Sequence, residues 1–334
     1  MKQLITFLSL FLILGCSRNT EKEIYQGSRD SIIDVKEQIK EVDTGDVLLS
    51  SHISPTIFGD YLGIIDPNSY DNMIYIFDNK TFKYLGSTCR RGQGPGEVVS
   101  IGNIMWNENR KEFYLPDYGS YKIYNFDMSQ VLADSLYLPS VKGNMNNKSF
   151  PGTIIYVNDT LSYVKVINPT SVSSFEEEVG RWNLQTGEIQ TFPYKHPGLK
   201  VYRYIITASV DDGIIVEANS RYDLFTILDL EGNLKCNIHG PNWNSDGDGK
   251  QHFGDVVTYK NYIISCYDGS MWADAAKFKK CHVFDLDGNY IKTLNIGFGF
   301  NYFTVDKTNH RLIFCFDDVD IDQIGYLDLD GILD

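Results

Sequence analysis

The chain repeatedly alternates apolar and polar residues over short runs, and an acidic or amide residue followed by a turn closes many of them. One such run, MIYIFDNKTFKYLG, has Asp78 at this anchor position. The six anchors are Asp78, Asp127, Asn183, Asp229, Asp285 and Asp328. They lie 49, 56, 46, 56 and 43 residues apart, with a mean of 50. A period of two is typical of half-buried strands, so the pattern predicts one β-unit repeated six times.

Further strand-like pairs lie between the anchors, for example YIITASVDDGIIVEANSRYD and FGDVVTYKNYIISCYDG. Each has an Asp, Asn or Gly turn between two apolar runs, which is typical of a hairpin. Four strands in about 50 residues match one blade of a β-propeller. A lone sheet leaves two apolar faces exposed, whereas radial stacking buries both. We therefore predict an all-β, six-bladed β-propeller with four antiparallel strands per blade. Paired two-sheet sandwiches, the alternative, would not explain six regular anchors.

The last unit ends at Asp334, just after its third strand, so its outermost strand is missing. We expect a segment within residues 31–60 to supply that strand and so join the two ends of the chain. Within it, Ser31 to Val42 fits both a helical stripe and a strand. The prediction is a single propeller domain over residues 31–334.

Composition supports strands and turns, since 13% of the residues are aromatic and 28 are glycine. The net charge of −14 excludes the basic surface that grips a phosphate backbone, so no nucleic-acid partner is expected.

The first residues predict an export signal. Lys2 precedes an apolar stretch from Leu4 to Leu14, too short to span a bilayer as a helix. Ile13-Leu14-Gly15-Cys16 resembles the lipobox of bacterial lipoproteins, which implies that Cys16 is acylated and becomes the mature N-terminus. We expect residues 1–15 to be a signal peptide and residues 16–30 to be the lipidated cysteine with a flexible tether. This implies an outer-membrane or cell-envelope lipoprotein whose domain faces the periplasm or the cell exterior.

A glycine-rich loop, Cys89-Arg-Arg-Gly-Gln-Gly-Pro-Gly-Glu97, follows the last strand of the first unit. It matches neither phosphate-binding pattern, and no helix follows it. The loop, behind a YIFD-type strand and a lipobox, resembles the TolB-like six-bladed propeller lipoproteins over residues 31–334. The resemblance implies that its signature positions are Arg91, Gly92, Gly94, Pro95, Gly96 and Glu97, with Val98 where the family commonly has Phe. The resemblance implies a fold and a cellular compartment, but it implies no enzymatic reaction.

Loops of one propeller face are expected to gather the candidate ligand-binding residues, since ligands commonly meet that face near the channel. Arginine beside aromatic rings suits carboxylate or sugar recognition. The candidates are Arg90, Arg91, Glu97, Tyr118, His196, Arg221, His239, Trp243, His252 and Trp272. The alternative is that Arg91 and Glu97 bond the loop itself and hold neighbouring blades together.

No short metal-binding spacing occurs among the six histidines, no nucleophile motif is present, and no cofactor is indicated. His239 and His252 flank one long loop and could converge. Cys266 and Cys281 fall on neighbouring strands and could pair.

The sequence favours a non-catalytic, membrane-anchored propeller that binds a protein or carbohydrate partner in the cell envelope. The alternative is a metal-dependent hydrolase or lyase with a site in the channel, using His239, His252 and acidic loop residues. A third hypothesis is that the propeller is a structural scaffold whose signature loop only holds the blades together. The sequence leaves the oligomeric state and the ligand open.

Overall fold

The computed structural model describes residues 22–274 and 277–333. The predicted signal peptide, Cys16 and the first part of the predicted tether therefore lie outside the described residues. The N-terminal arm, residues 22–42, contains β1 (Glu23–Tyr25), β2 (Ile32–Asp34), a 3-10 helix (Lys36–Gln38) and β3 (Lys40–Glu41).

Six antiparallel blades follow one another along the chain, and they belong to five sheets because one eight-stranded sheet contains both blade 5 and blade 6. Blade 1 contains β4 (Ser54–Phe58), β5 (Tyr61–Ile65), β6 (Asn72–Asp78) and β7 (Tyr84–Arg90). Blade 2 contains β8 (Met105–Asn107), β9 (Glu112–Asp117), β10 (Lys122–Asp127) and β11 (Ser140–Asn144), with α1 (Met128–Ala133) between the last two. Blade 3 contains β12 (Phe150–Asn158), β13 (Leu161–Pro169), β14 (Phe175–Trp182) and β15 (Ile189–Thr191).

Blade 4 contains β16 (Tyr204–Ser209), β17 (Ile214–Asn219), β18 (Leu224–Asp229) and β19 (Leu234–His239). Blade 5 contains β20 (Phe253–Tyr259), β21 (Tyr262–Tyr267), β22 (Phe278–Asp285) and the first part of β23 (Tyr290–Asp306). The second part of β23 is the inner strand of blade 6, which continues with β24 (Arg311–Phe316) and β25 (Ile324–Asp328).

The six blades surround a central channel of about 500 Å³ that is lined by residues from the innermost part of every blade. Six apolar clusters fill the spaces between neighbouring blades, and one of them joins blade 6 to blade 1 through Ile313, Ile64 and Phe77. The predicted six-bladed propeller is confirmed.

All six anchor residues end or directly follow the third strand of a blade, as the repeat predicts. Their side chains explain the repetition. Asp78, Asp127, Asn183, Asp229 and Asp285 each accept a backbone N–H two residues further on, which shapes the turn toward the fourth strand.

The N-terminal arm lies along the outer edges of three blades. β1 pairs in parallel with β19 of blade 4, and β2 pairs in parallel with β23 in blade 5. β3, a two-residue strand within the segment 31–60, pairs antiparallel with β25 of blade 6.

The tether expected over residues 16–30 does not extend to residue 30, because residues 23–25 form a strand and Arg29 is buried. Its Nη1 donates to Asp223 Oδ1 at 2.7 Å, and both side chains are almost fully buried. Polar composition alone suggested a solvated segment, but Glu23 and Arg29 bond to side chains of blade 4. Cys266 and Cys281 lie directly opposite each other on β21 and β22, as expected, and both thiols are free.

None of the helices in the described ranges has the length and apolar character that crossing a membrane requires.

Candidate functional site

The glycine-rich loop is held together by its own signature residues. Arg91 Nη1 donates to the backbone carbonyls of Pro67 at 2.8 Å and Ser69 at 3.4 Å. Glu97 Oε2 accepts the Gly94 N–H at 2.8 Å, and its carboxylate fills the space where a side chain at Gly92 would lie. These contacts occupy Arg91 Nη1 and Glu97 Oε2 within the loop and its neighbouring turn.

The rest of the loop packs against blade 2. Gly96 has a φ of 75°, and a β-carbon there would contact Leu138 and Pro139. Pro95 lies between the two closely packed glycines. Arg90 remains exposed, with loose ion pairs to Asp71 at 3.7 Å and Glu97 at 3.6 Å. The geometry favours a structural role for this loop.

Tyr118 also makes a structural contact, from blade 2 to blade 3. Its hydroxyl donates to the Gly152 carbonyl at 2.5 Å, and its ring packs against Phe150. Burial raises the pKa of the Tyr118 hydroxyl, so it stays protonated.

The remaining candidates gather on blades 3 to 5. Trp243 contacts the rings of His196 at 5.5 Å, His239 at 4.4 Å and Tyr222 at 5.9 Å. His196 and His239 are both buried. Burial and the neighbouring His239 hold the pKa of His196 below its usual range, so this imidazole is neutral at neutral pH.

His239 and His252 lie in separate environments. His239 Nε2 bonds Glu23 Oε2 at 2.6 Å, whereas His252 bonds Asp248 at 3.0 Å and the Tyr267 hydroxyl at 3.3 Å. Neither lines the channel, so the channel metal site expected from this pair is not formed by them.

A surface on blades 3 to 5 carries arginines stacked on aromatic rings; we call it the arginine–aromatic patch, and it comprises Phe175, Arg203, Arg221 and Trp272. The Arg221 guanidinium carbon lies 3.6 Å from the centre of the Trp272 ring, and that of Arg203 lies 4.3 Å from the centre of Phe175. Trp272 is 45% exposed and Phe175 is 37% exposed. Both aromatic residues are therefore partly accessible to solvent.

Two depressions adjoin this patch, of about 360 Å³ and 350 Å³, and they share Val201 and Arg203. Five cationic and three acidic side chains line them: Lys195, Lys200, Arg203, Arg221, Lys250, Glu176, Glu177 and Asp246. Two further carboxylates pair with the lysines of this lining, Glu178 with Lys195 and Asp248 with Lys250, so cationic and acidic groups are equal in number around the depressions.

Arg221 differs from the other cations of this surface. Lys200 pairs with Asp246 at 2.6 Å, and Lys195 pairs with Glu178 at 2.9 Å. Arg203 donates to the Tyr202 carbonyl at 2.7 Å. Within the described residues, the Arg221 guanidinium makes no ion pair or hydrogen bond, so its five donors are directed to solvent.

The channel has a single carboxylate among its lining residues, Asp255. It faces the cavity deep inside the ring, and Phe303 N–H donates to it at 3.4 Å. Burial raises the pKa of Asp255 to about 7. The other lining side chains are aliphatic, aromatic, hydroxyl or amide groups.

Glu23, Phe175 and Asp255 are not recognisable as site residues from the sequence. Glu23 lies in a polar stretch, and no sequence signal places it against His239, 216 residues away. Phe175 and Asp255 lie within ordinary strand patterns. Which strand positions face a site is decided by the radial packing of the blades.

A sequence-family model described as a 6-bladed beta-propeller matches residues 21–146. None of the curated proteins matches the chain.

Solved structures resemble the chain at low identity. A protein named as exported from Bacteroides fragilis NCTC 9343 is 11% identical, with a TM-score of 0.55 and 87% of each chain covered. A member of the duf4221 family from Bacteroides vulgatus ATCC 8482 is 10% identical, with a TM-score of 0.57 over 83% of this chain and 91% of that one. The extracellular domain of a one-component system from B. thetaiotaomicron is 11% identical, with a TM-score of 0.50 over 84% of this chain and 34% of that one. These likenesses concern the fold.

Proposed function

We propose that this propeller is a non-catalytic binding protein of the cell envelope, and that its arginine–aromatic patch binds carbohydrates that carry carboxylate groups. The observation that carries the proposal is Arg221, an arginine held on the Trp272 ring with no ion-pair partner among the described residues. A guanidinium fork bonds a carboxylate through two parallel N–H groups, and an exposed aromatic face stacks on a sugar ring.

A second candidate, a metal-dependent hydrolase or lyase in the channel, has less support. Such a site needs several carboxylate, imidazole or amide ligands around one open position. Among the channel-lining residues, Asp255 is the one carboxylate, and none is a histidine or cysteine.

The cellular address is part of the proposal. Acylation of Cys16 would anchor the domain to a membrane, and the signature loop supports membership of the TolB-like lipoproteins. Structural neighbours described as exported or extracellular agree with this address. Labelling with a radioactive fatty acid tests it, since Cys16→Ser should remove the label.

Binding is measured by calorimetry with two probes of equal length, an oligogalacturonide and a neutral galactose oligomer. We expect the acidic probe alone to bind and to be recovered uncleaved. Arg221→Ala should weaken binding about tenfold or more, because hydrogen bonds to charged groups contribute about 1.5–3 kcal/mol.

Arg90→Ala is the matched control, because Arg90 is an exposed arginine that is not stacked on a ring, and it should bind like the wild type. Equal affinity of the Arg221→Ala variant, or cleavage of the probe, would contradict the proposal. A different outcome is that the protein binds an envelope protein and neither sugar. If Arg221→Ala abolished that binding as well, the same patch would be assigned to a protein partner.

A further inference from the structure

Three side chains from distant parts of the chain meet at the outer edge of the ring, between blades 3 and 4. Glu23 belongs to β1 of the N-terminal arm, His196 to the loop between β15 and β16, and His239 to the end of β19. One ligand atom from each lies within 4.8 Å of the other two. In the described part of the chain, this is the one group of three or more potential ligand residues with such geometry.

Hydrogen bonding leaves this cluster incomplete. His239 Nε2 bonds Glu23 Oε2 at 2.6 Å, but His239 Nδ1 is buried and has no partner among the described residues. The His239 side chain is only 2% exposed. Buried polar atoms are normally paired, so the His239 ring lacks one of its expected hydrogen bonds in this arrangement.

Aromatic rings fix the orientation of His239. Tyr25 stacks on one face at 4.5 Å between ring centres, and Trp243 packs edge-on at 4.4 Å. Asn237 donates to Glu23 Oε1 at 2.9 Å and so positions the carboxylate. Preorganised ligands with supporting bonds of this kind are typical of metal sites.

We propose that Glu23, His196 and His239 form a site for a divalent transition metal ion, with zinc as the best match. Two imidazoles and one carboxylate are a zinc ligand set that leaves a fourth position for water. The set lacks the additional oxygen ligands that calcium requires.

Binding requires small local adjustments. Zinc–ligand distances of about 2.0–2.1 Å separate tetrahedral ligand atoms by about 3.4 Å, so the Glu23–His239 hydrogen bond must open. His196 Nδ1 accepts the Gly198 N–H at 3.1 Å. A metal ion bound to His196 Nδ1 would displace this hydrogen bond. A metal ion bound to His196 Nε2 would require the ring proton to move. Zinc therefore competes with existing hydrogen bonds.

The ion would join three elements that are separated along the chain by whole blades. It would fasten β1, which adds a parallel edge strand to blade 4, to the loop that enters the same blade. Glu23 is seven residues after Cys16 in the sequence. The bound metal would thus hold the start of the N-terminal arm against the propeller.

The test uses the purified full chain and zinc alone. Zinc affinity is measured by competition with a chromophoric chelator, and bound metal is counted by elemental analysis. We expect one zinc ion per chain and a melting temperature that rises with zinc, because the ion binds only the folded state. His196→Ala and Glu23→Gln should each lower the affinity at least about 100-fold, the upper end of the loss caused by altered outer-sphere partners.

His310→Ala is the matched control, since His310 also pairs with a carboxylate, Asp330 at 3.1 Å, but on the surface. It should bind zinc like the wild type. Glu23→Gln keeps a hydrogen-bond acceptor for His239, and its melting temperature without zinc shows that it folds. The proposal is overturned if the wild type takes up no zinc, or if the three variants bind it equally well.

Discussion

At the scale of single residues, the distinctive groups are charges whose surroundings are set by neighbouring blades. Asp255 faces the channel, and burial raises its pKa to about 7. Glu217 lies on β17 within blade 4, and burial raises its pKa to about 8. Both carboxyl groups bind protons more tightly in the folded protein than in the unfolded chain.

The first prediction concerns Asp255→Asn and pH. Unfolded Asp ionises near pH 3.9, so between about pH 4 and 7 the folded state holds more protons and stability falls as pH rises. Asparagine carries no charge and can still accept the Phe303 N–H. At pH 8 the variant should exceed the wild type by on the order of 2 kcal/mol, and near pH 3 the two should agree.

Urea unfolding at several pH values measures this difference. Asp211→Asn, at an exposed turn, is the control and should show no gain. Some pH dependence should persist in the Asp255→Asn variant, because Glu217 contributes with the same sign. A variant no more stable than the wild type at pH 8 would show that Asp255 ionises freely in the channel.

At the scale of elements, turns and loops carry the repeat and hold the blades. The anchors close the third strands through side chain to backbone bonds, and the glycine-rich loop binds its own backbone through Arg91 and Glu97. The glycine-rich motif makes structural contacts, whereas the partly exposed arginines that stack on aromatic rings lie on other blades.

The second prediction separates these roles. Arg91→Ala should lower the free energy of unfolding by about 1 kcal/mol, since it removes exposed hydrogen bonds to two carbonyls. Binding of the acidic oligosaccharide should be unchanged. Arg90→Ala should alter stability by less than about 0.5 kcal/mol, because its ion pairs are long and exposed. If Arg91→Ala lost binding while its stability was unchanged, the signature loop would be part of the ligand site.

At the scale of the whole molecule, the N-terminal arm contacts blades 4, 5 and 6. It covers strand edges that would otherwise expose unpaired backbone groups. Its buried arginine, Arg29, pairs with buried Asp223, and the Arg29 guanidinium carbon lies 5.2 Å from the centre of the Phe284 ring in blade 5. The arm therefore couples neighbouring blades as well as the chain ends.

The third prediction tests this coupling. Arg29→Met should destabilise the protein by about 3–5 kcal/mol, because it leaves the Asp223 charge buried without its cation. The double variant Arg29→Met, Asp223→Asn should recover part of the loss, since no buried charge remains. Denaturant unfolding of the full chain measures both. A loss below about 1 kcal/mol in Arg29→Met would mean that water reaches Asp223.

The sequence by itself determined the strands, their turns and the number of blades, because alternation and Asp or Asn turns are local properties of the chain. Tertiary structure alone decided which loop residues meet. Glu23 and His239 are 216 residues apart, and Arg29 and Asp223 are 194 apart. Such contacts depend on the radial position of each blade and on the path of the arm around the ring, and no local pattern encodes either.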